Sequence, residues 1–238
     1  METEELQDRR RGDQASRRDF LRATGLAGVT LAVGSVMAGC AEGTTEAPLM
    51  ESRGAVVNGN NVELNFANEL DVLNYAYALE QLEAAFYVTV VARAGFSTTF
   101  PQESERRILV DLRDHEVAHR DFFKTALGAF AIPGLTPNFS TVNFDNRSSV
   151  LTTAQTFEDL GVGAYNGAAR YLQSSNYLTV AGKIVSVEAR HAAAIRGTLN
   201  GNRTGSFAPN AFDPAFTPQQ VLTAADPFIE QNITVINT

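Results

Sequence analysis

Asp114-His115-Glu116-Val117-Ala118-His119 and Val187-Glu188-Ala189-Arg190-His191 are the stretches on which the fold turns. In each, a glutamate precedes a histidine by three positions, a spacing that on a helix puts both side chains on one face about one turn apart. The residues around the first stretch keep that period: Leu109, Leu112, Glu116, His119, Phe123 and Ala126 form one stripe of a helix expected to open near 101–104 and run to about 129. Around the second stretch, Val180, Ile184, Glu188, His191, Ile195 and Leu199 form the inner face of a helix expected over about 178–199.

Two further segments repeat the period. One covers about 64–94, with Leu73, Tyr77, Glu80, Ala84, Tyr87 and Val91 on its stripe and Gly95 as a C-terminal cap. The other covers about 153–173, with Ala154, Glu158, Gly161, Tyr165, Ala168 and Leu172. Its small residues Gly163, Ala164, Gly167 and Ala168 weaken helix propensity but let a neighbouring helix approach closely. Between the second and third helices, residues 130–151 hold Pro133, Gly134, Pro137 and several Asn and Ser, the composition of a long surface crossing. Simple up-and-down bundles use short loops throughout, so the reading is an all-α four-helix bundle with a long crossover between helices 2 and 3.

Each of the four stripes carries a glutamate where an apolar residue is otherwise expected, and two also carry a histidine. In chain order the pattern is Glu80, then Glu116 with His119, then Glu158, then Glu188 with His191. Glu80 and Glu158 are each followed seven positions later by a tyrosine, Tyr87 and Tyr165. Taken singly, a helical glutamate belongs to a solvated face and a lone buried histidine to a hydrogen-bonded core. The twofold repeat of the whole pattern is the specific signal.

That order resembles the ligand set of the ferritin-like superfamily of di-iron and di-manganese carboxylate bundles. Leu79-Glu80-Gln81-Leu82-Glu83-Ala84-Ala85-Phe86-Tyr87 and Val187-Glu188-Ala189-Arg190-His191 are similar, more narrowly, to the bacterial branch that includes desiccation-related proteins. The likeness covers roughly Leu64 to Gly201. It implies that Glu116 and Glu188 bridge two metal ions, that Glu80 and Glu158 bind terminally, and that His119 and His191 each take one ion. Carboxylates and imidazoles suit iron, with manganese the alternative, and leave positions open for O2 or peroxide. Four buried carboxylates are prohibitive without compensation, which two divalent cations and two neutral imidazoles supply. Glu83, one turn from Glu80, is a rival for its place or a residue flanking the ligands. Tyr87 and Tyr165 are expected as core aromatics with hydrogen-bonded hydroxyls.

Two other functions compete. His115-Glu116-Val117-Ala118-His119 is also HExxH, the zinc-hydrolase signature in which both histidines bind zinc and the glutamate is the base. That reading needs a third ligand and a strand-edged cleft, and it leaves Glu188 and His191 without a role. The bundle reading leaves only His115 over, on the outer face or beside the ligands. The remaining alternative is a non-catalytic, stress-protective envelope module, which metal content distinguishes from both.

The chain ends carry an address and a tail. Ser16-Arg17-Arg18-Asp19-Phe20-Leu21-Arg22 resembles a twin-arginine export signal, and Ala23 to Val36 is too short and glycine-rich for a membrane span. Met37-Ala38-Gly39-Cys40 is similar to a lipoprotein cleavage box, with Cys40, the only cysteine, as the acylated residue. The expected plan is therefore a signal over 1–39, a flexible tether over 40–62, the bundle over 63–200 and an irregular extension over 201–238. One short helix is allowed in that extension after Thr217-Pro218. Residues 1–39 hold six acids and six arginines, so the formal charge of −8 belongs to the rest of the chain. An acidic body excludes non-specific nucleic-acid binding. A lipid tether and a long tail favour a monomer or small oligomer, at the outer face of a membrane or in the periplasm, over a closed cage.

Overall fold

The computed structural model describes residues 54–201 and 207–238. The arginine motif read as an export signal, Cys40 and the first part of the expected tether lie outside the described residues.

Four long helices pack as in a helix bundle: α1 (Glu69–Ala92), α3 (Glu103–Leu127), α4 (Arg147–Ala168) and α5 (Ser175–Asn200). A one-turn helix α2 (Phe96–Thr99) follows α1, and α6 (Pro218–Ala225) lies in the C-terminal segment. α1 packs most extensively on α3, and α4 on α5.

Local chemistry sets the helix ends. Asn68 accepts a hydrogen bond from the Leu70 amide at 3.1 Å, and Glu69 and Asp71 sit in the first turn, where the helix dipole favours acids. α1 therefore starts at Glu69, later than the apolar period implies, and it ends at Ala92. Gly95 does not cap α1 but precedes α2. α4 starts earlier than its apolar residues imply, because Asn146 caps the Ser149 amide at 2.9 Å. Ser174 opens α5, and Gly201 closes it in the left-handed region at φ 68°, a conformation glycine adopts without steric cost.

α1 is buried around most of its circumference. The reason lies in the connection between α3 and α4, whose hydrogen bonds to α1 rise in order along the helix. The Asn74 amide donates to Phe130 O at 2.8 Å and accepts from the Ile132 amide at 2.9 Å. Gln81 accepts from the Leu135 amide at 2.9 Å, and the Arg93 guanidinium clamps Asp145 at 2.7 Å. The connection thus runs from the first turns of α1 to its last, a helical rise of roughly 28 Å. Phe139 and Phe144 pack on Phe86 from this segment.

A three-stranded sheet joins the two ends of the described chain. β1 (Val56–Asn58) pairs antiparallel with β2 (Asn61–Asn65), and β2 pairs parallel with β3 (Asn232–Ile236). The end of the expected tether is therefore strand. Leu64, expected to open the first helix, is instead buried by strand alternation with Val62. The C-terminal extension is also more ordered than expected: α6 has the anticipated Thr217 cap, completed by Gln220, and β3 follows it.

The small residues of α4 admit a backbone, although not that of a helix. Phe216 crosses α4 at Gly163 and Gly167, its amide donating to Gly163 O at 2.9 Å. A Cβ on Gly167 would fall 1.7 Å from Phe216 O.

Candidate metal centre

One glutamate from each long helix points into the bundle, and Glu80, Glu116, Glu158 and Glu188 are all fully buried. His191 is buried with them, while His119 keeps 14 % of its side-chain surface and marks the side of the site nearest solvent. All six residues singled out as ligands thus come together. Potential ligand atoms fall into two sets, Glu80, Glu116, His119 and Glu188 in one, and Glu116, Glu158, Glu188 and His191 in the other.

Glu116 and Glu188 belong to both sets, one oxygen to each. His119 Nδ1 lies 2.9 Å from Glu188 Oε1, 3.4 Å from Glu80 Oε2 and 3.5 Å from Glu116 Oε2. His191 Nδ1 lies 2.8 Å from Glu116 Oε1, 3.4 Å from Glu158 Oε2 and 3.6 Å from Glu188 Oε2. Short as these separations are, none has hydrogen-bond direction: both Nδ1 atoms, both oxygens of Glu116 and Glu188, Glu80 Oε2 and Glu158 Oε2 are buried without a hydrogen-bond partner. A buried polar atom left unpaired costs about 1–3 kcal/mol, more when charged, so eight together demand a common partner. Atoms that crowd without bonding one another are arranged as ligands aimed at shared points.

The other oxygens of Glu80 and Glu158 are fixed by tyrosines, in a crossed arrangement. Tyr87 on α1 donates to Glu158 Oε1 on α4 at 2.5 Å, and Tyr165 on α4 donates to Glu80 Oε1 on α1 at 2.5 Å. Each tyrosine serves the glutamate of the opposite helix, not the one seven residues before it. Burial, then the neighbouring carboxylate, raises both phenol pKa values, so the hydroxyls stay protonated and donate.

Burial also governs the carboxylates. It raises Glu116 well above the usual range, aided by Glu188, and it lifts Glu158 to about 7 against the pull of His191 and Tyr87. For Glu188 the two imidazoles outweigh burial and hold it down to about 2. Burial alone lowers a histidine pKa, but Glu116, Glu158 and Glu188 push His191 up to about 12, and Glu116, Glu188 and Glu80 raise His119 likewise.

Glu83 is buried and stands in neither set. Burial, then repulsion from Glu188 and the other three carboxylates, raises its pKa well above the usual range. Space for its carboxylate comes from Gly161 on α4, where a Cβ would lie 3.1 Å from Glu83 Oε1. Of the two rivals on α1, Glu80 is the one with an oxygen among the potential ligand atoms.

His115 also stands outside both sets and does not converge with His119. Its Nδ1 instead meets His191 Nε2 at 2.9 Å. The HExxH reading requires both histidines of the motif on one ion, and the helix turns them to different neighbours. The contact with α5 went unseen in the sequence, where HExxH drew attention to His119 as the partner of His115.

No curated protein matches the chain. The ferritin-like domain family matches it over residues 68–201, from the cap of α1 to the cap of α5. That span covers more than half of the chain and contains all four helices whose glutamates face one another, so the chain belongs to the ferritin-like domain family.

Proposed function

We propose that this protein is an exported, lipid-anchored di-iron carboxylate protein whose bundle handles O2 or peroxide. The observation that carries the metal reading is the set of eight unpartnered buried atoms, divided between two sites that share Glu116 and Glu188. In this reading Glu116 and Glu188 bridge, Glu80 and Glu158 bind terminally, and His119 and His191 take one ion each. Segment 128–146 is the crossover joining the two halves. Iron is the preferred metal and manganese its alternative, because oxygen and imidazole donors without thiolate suit both. Two ferrous ions, when bound, supply electrons to an oxidant. The chain's residues exclude bulk water, fix ligand direction through Tyr87 and Tyr165, and leave the His119 side nearest the surface for entry of small molecules.

Elemental analysis of the purified protein tests this directly, with about two iron or manganese ions per chain expected. A folded protein indifferent to both metals, in absorbance and in melting temperature, would leave the stress-protective module standing. Retention of both ions by His115→Ala, with metal in excess, separates the bundle from the zinc hydrolase, which loses its metal with that histidine.

Uptake should depend on pH with a definite sign. Both ligand histidines are raised in the metal-free protein and hold protons at neutral pH, whereas a ligating imidazole must be neutral. Binding therefore releases protons and tightens as the pH rises from about 6 to about 8. Calorimetry in buffers of different ionisation enthalpy measures the release. Equal affinity across that range with no proton release contradicts the ligand assignment.

The export proposal rests on Arg17, Arg18 and Cys40. Replacing both arginines with lysine should hold the protein in the cytoplasm, and Cys40→Ala should free it from membranes without blocking export. Fractionation and immunoblotting decide: normal export of the lysine variant removes the twin-arginine reading, and a membrane-bound Cys40→Ala removes the lipid.

A further inference from the structure

The chain has three histidines, and all three gather at the centre although only two belong to the donor sets. His191 stands between the others, with ring centroids 5.1 Å from His115 and 6.2 Å from His119. The His115 and His191 planes are 15° apart and their nitrogens 2.9 Å apart, so the rings meet edge to edge through a hydrogen bond.

The direction of that bond follows from the other side of His191. Its Nδ1 faces Glu116, Glu158 and Glu188, as an atom must whose lone pair is meant for an ion. A neutral imidazole has one N–H and one lone pair, so Nε2 then carries the proton and donates, and His115 Nδ1 accepts. Ligating histidines commonly depend on such a partner for ring orientation and tautomer.

We propose that His115 is a positioning residue for one half of the metal centre: it accepts from His191 Nε2 and so holds His191 in the tautomer that presents Nδ1 to its ion. The proposal rests on the two-ion reading and goes beyond it, because it makes the two ions unequal. The ligands repeat as Glu-x-x-His on α3 and α5, but the residue before the glutamate is His115 in one motif and Val187 in the other. Valine offers no acceptor. Among the described residues, His119 Nε2 makes no hydrogen bond comparable to that of His191. The half that contains His191 is thus buttressed from the protein surface, and the half that contains His119 is not.

Calorimetric titration with Mn(II) alone tests this on the wild-type protein, His115→Ala and His115→Asn. The wild type should show two binding events. His115→Ala should weaken one of them by about 10–100-fold, the usual cost of losing such a bond, and leave the other near its wild-type value. His115→Asn, whose side-chain carbonyl can accept in place of Nδ1, should recover most of the lost affinity. In Co(II)-loaded protein the His191 ring N–H should be a slowly exchanging, shifted proton resonance that disappears in His115→Ala. The metal-free variants should melt with the wild type, since His115 is exposed. Unchanged affinity in His115→Ala, or no recovery in His115→Asn, overturns the positioning role while the two-ion reading stands. A wild-type protein that takes up no Mn(II) overturns the metal reading and this role together.

Discussion

Glu116→Ala is expected to abolish tight binding of both metal ions, and Glu188→Ala to do the same. Each of these carboxylates places one oxygen within reach of His119 and the other within reach of His191, so deleting either removes a donor from both sets. His119→Ala and His191→Ala each touch one set only and should weaken mainly one ion. The loss in the glutamate variants should exceed the about 10–100-fold that an outer hydrogen bond is worth to a metal site. Stability provides a second reading. A ligand at a hundred times its dissociation constant stabilises a fold by about 2.7 kcal/mol, which in a domain of this size raises the melting temperature by roughly 5–10 °C. Wild-type protein should show that rise with Fe(II) or Mn(II), and Glu116→Ala should not. Glu83→Gln is the contrasting variant, since Glu83 lies outside both sets and its replacement should leave two ions bound. Retention of one ion at wild-type affinity by Glu116→Ala means that the carboxylate is not shared.

Gly167→Val is expected to be the most destabilising single change outside the centre. A Cβ at this position meets Phe216 O at 1.7 Å and its carbonyl carbon at 2.8 Å, and backbone cannot rotate away as a side-chain tip can. Either α4 or the segment carrying Phe216 must move. The segment's movement disturbs α6, where Val221 and Ala225 are buried, and then β3, which holds β2. Overpacking of this kind costs typically about 1–3 kcal/mol and sometimes more, so a fall of roughly 2–12 °C in melting temperature is expected, with early proteolysis in the C-terminal segment. Gly163→Ala, whose Cβ meets the Phe216 ring at 2.1 Å, should behave similarly but more mildly, because a ring can shift. Gly182→Ala is the control: nothing lies within 4 Å of its Cβ, and the change should stabilise α5 by about 0.5–1 kcal/mol. A Gly167→Val protein that melts with the wild type would falsify the notch.

How far the sequence reaches depends on the range of the interaction involved. The four helices and the six inward residues were legible because a helix brings residues three and four apart onto one face. Glu116 with His119 and Glu188 with His191 therefore declare themselves without any tertiary information. The helix ends were harder, since a single cap such as Asn68 or Asn146 overrides an apolar period that continues past it. The sheet was out of reach: β2 and β3 are only five residues long, and their parallel pairing joins opposite ends of the described chain.

Within the centre the same division holds. That a glutamate on each of the four helices faces inward was legible in the sequence, because a carboxylate repeats in four apolar stripes, although on α1 the sequence left Glu80 and Glu83 as rivals. Which oxygen of Glu116 and Glu188 goes to which histidine, that Tyr87 and Tyr165 cross between helices, that Glu83 fits beside Gly161 and that His115 turns to His191 were decided only by the tertiary structure. Helical spacing gives the direction in which a side chain leaves its own axis. The partner it meets depends on how neighbouring helices are rotated and offset along their axes, and those two quantities come from the packing of the whole core.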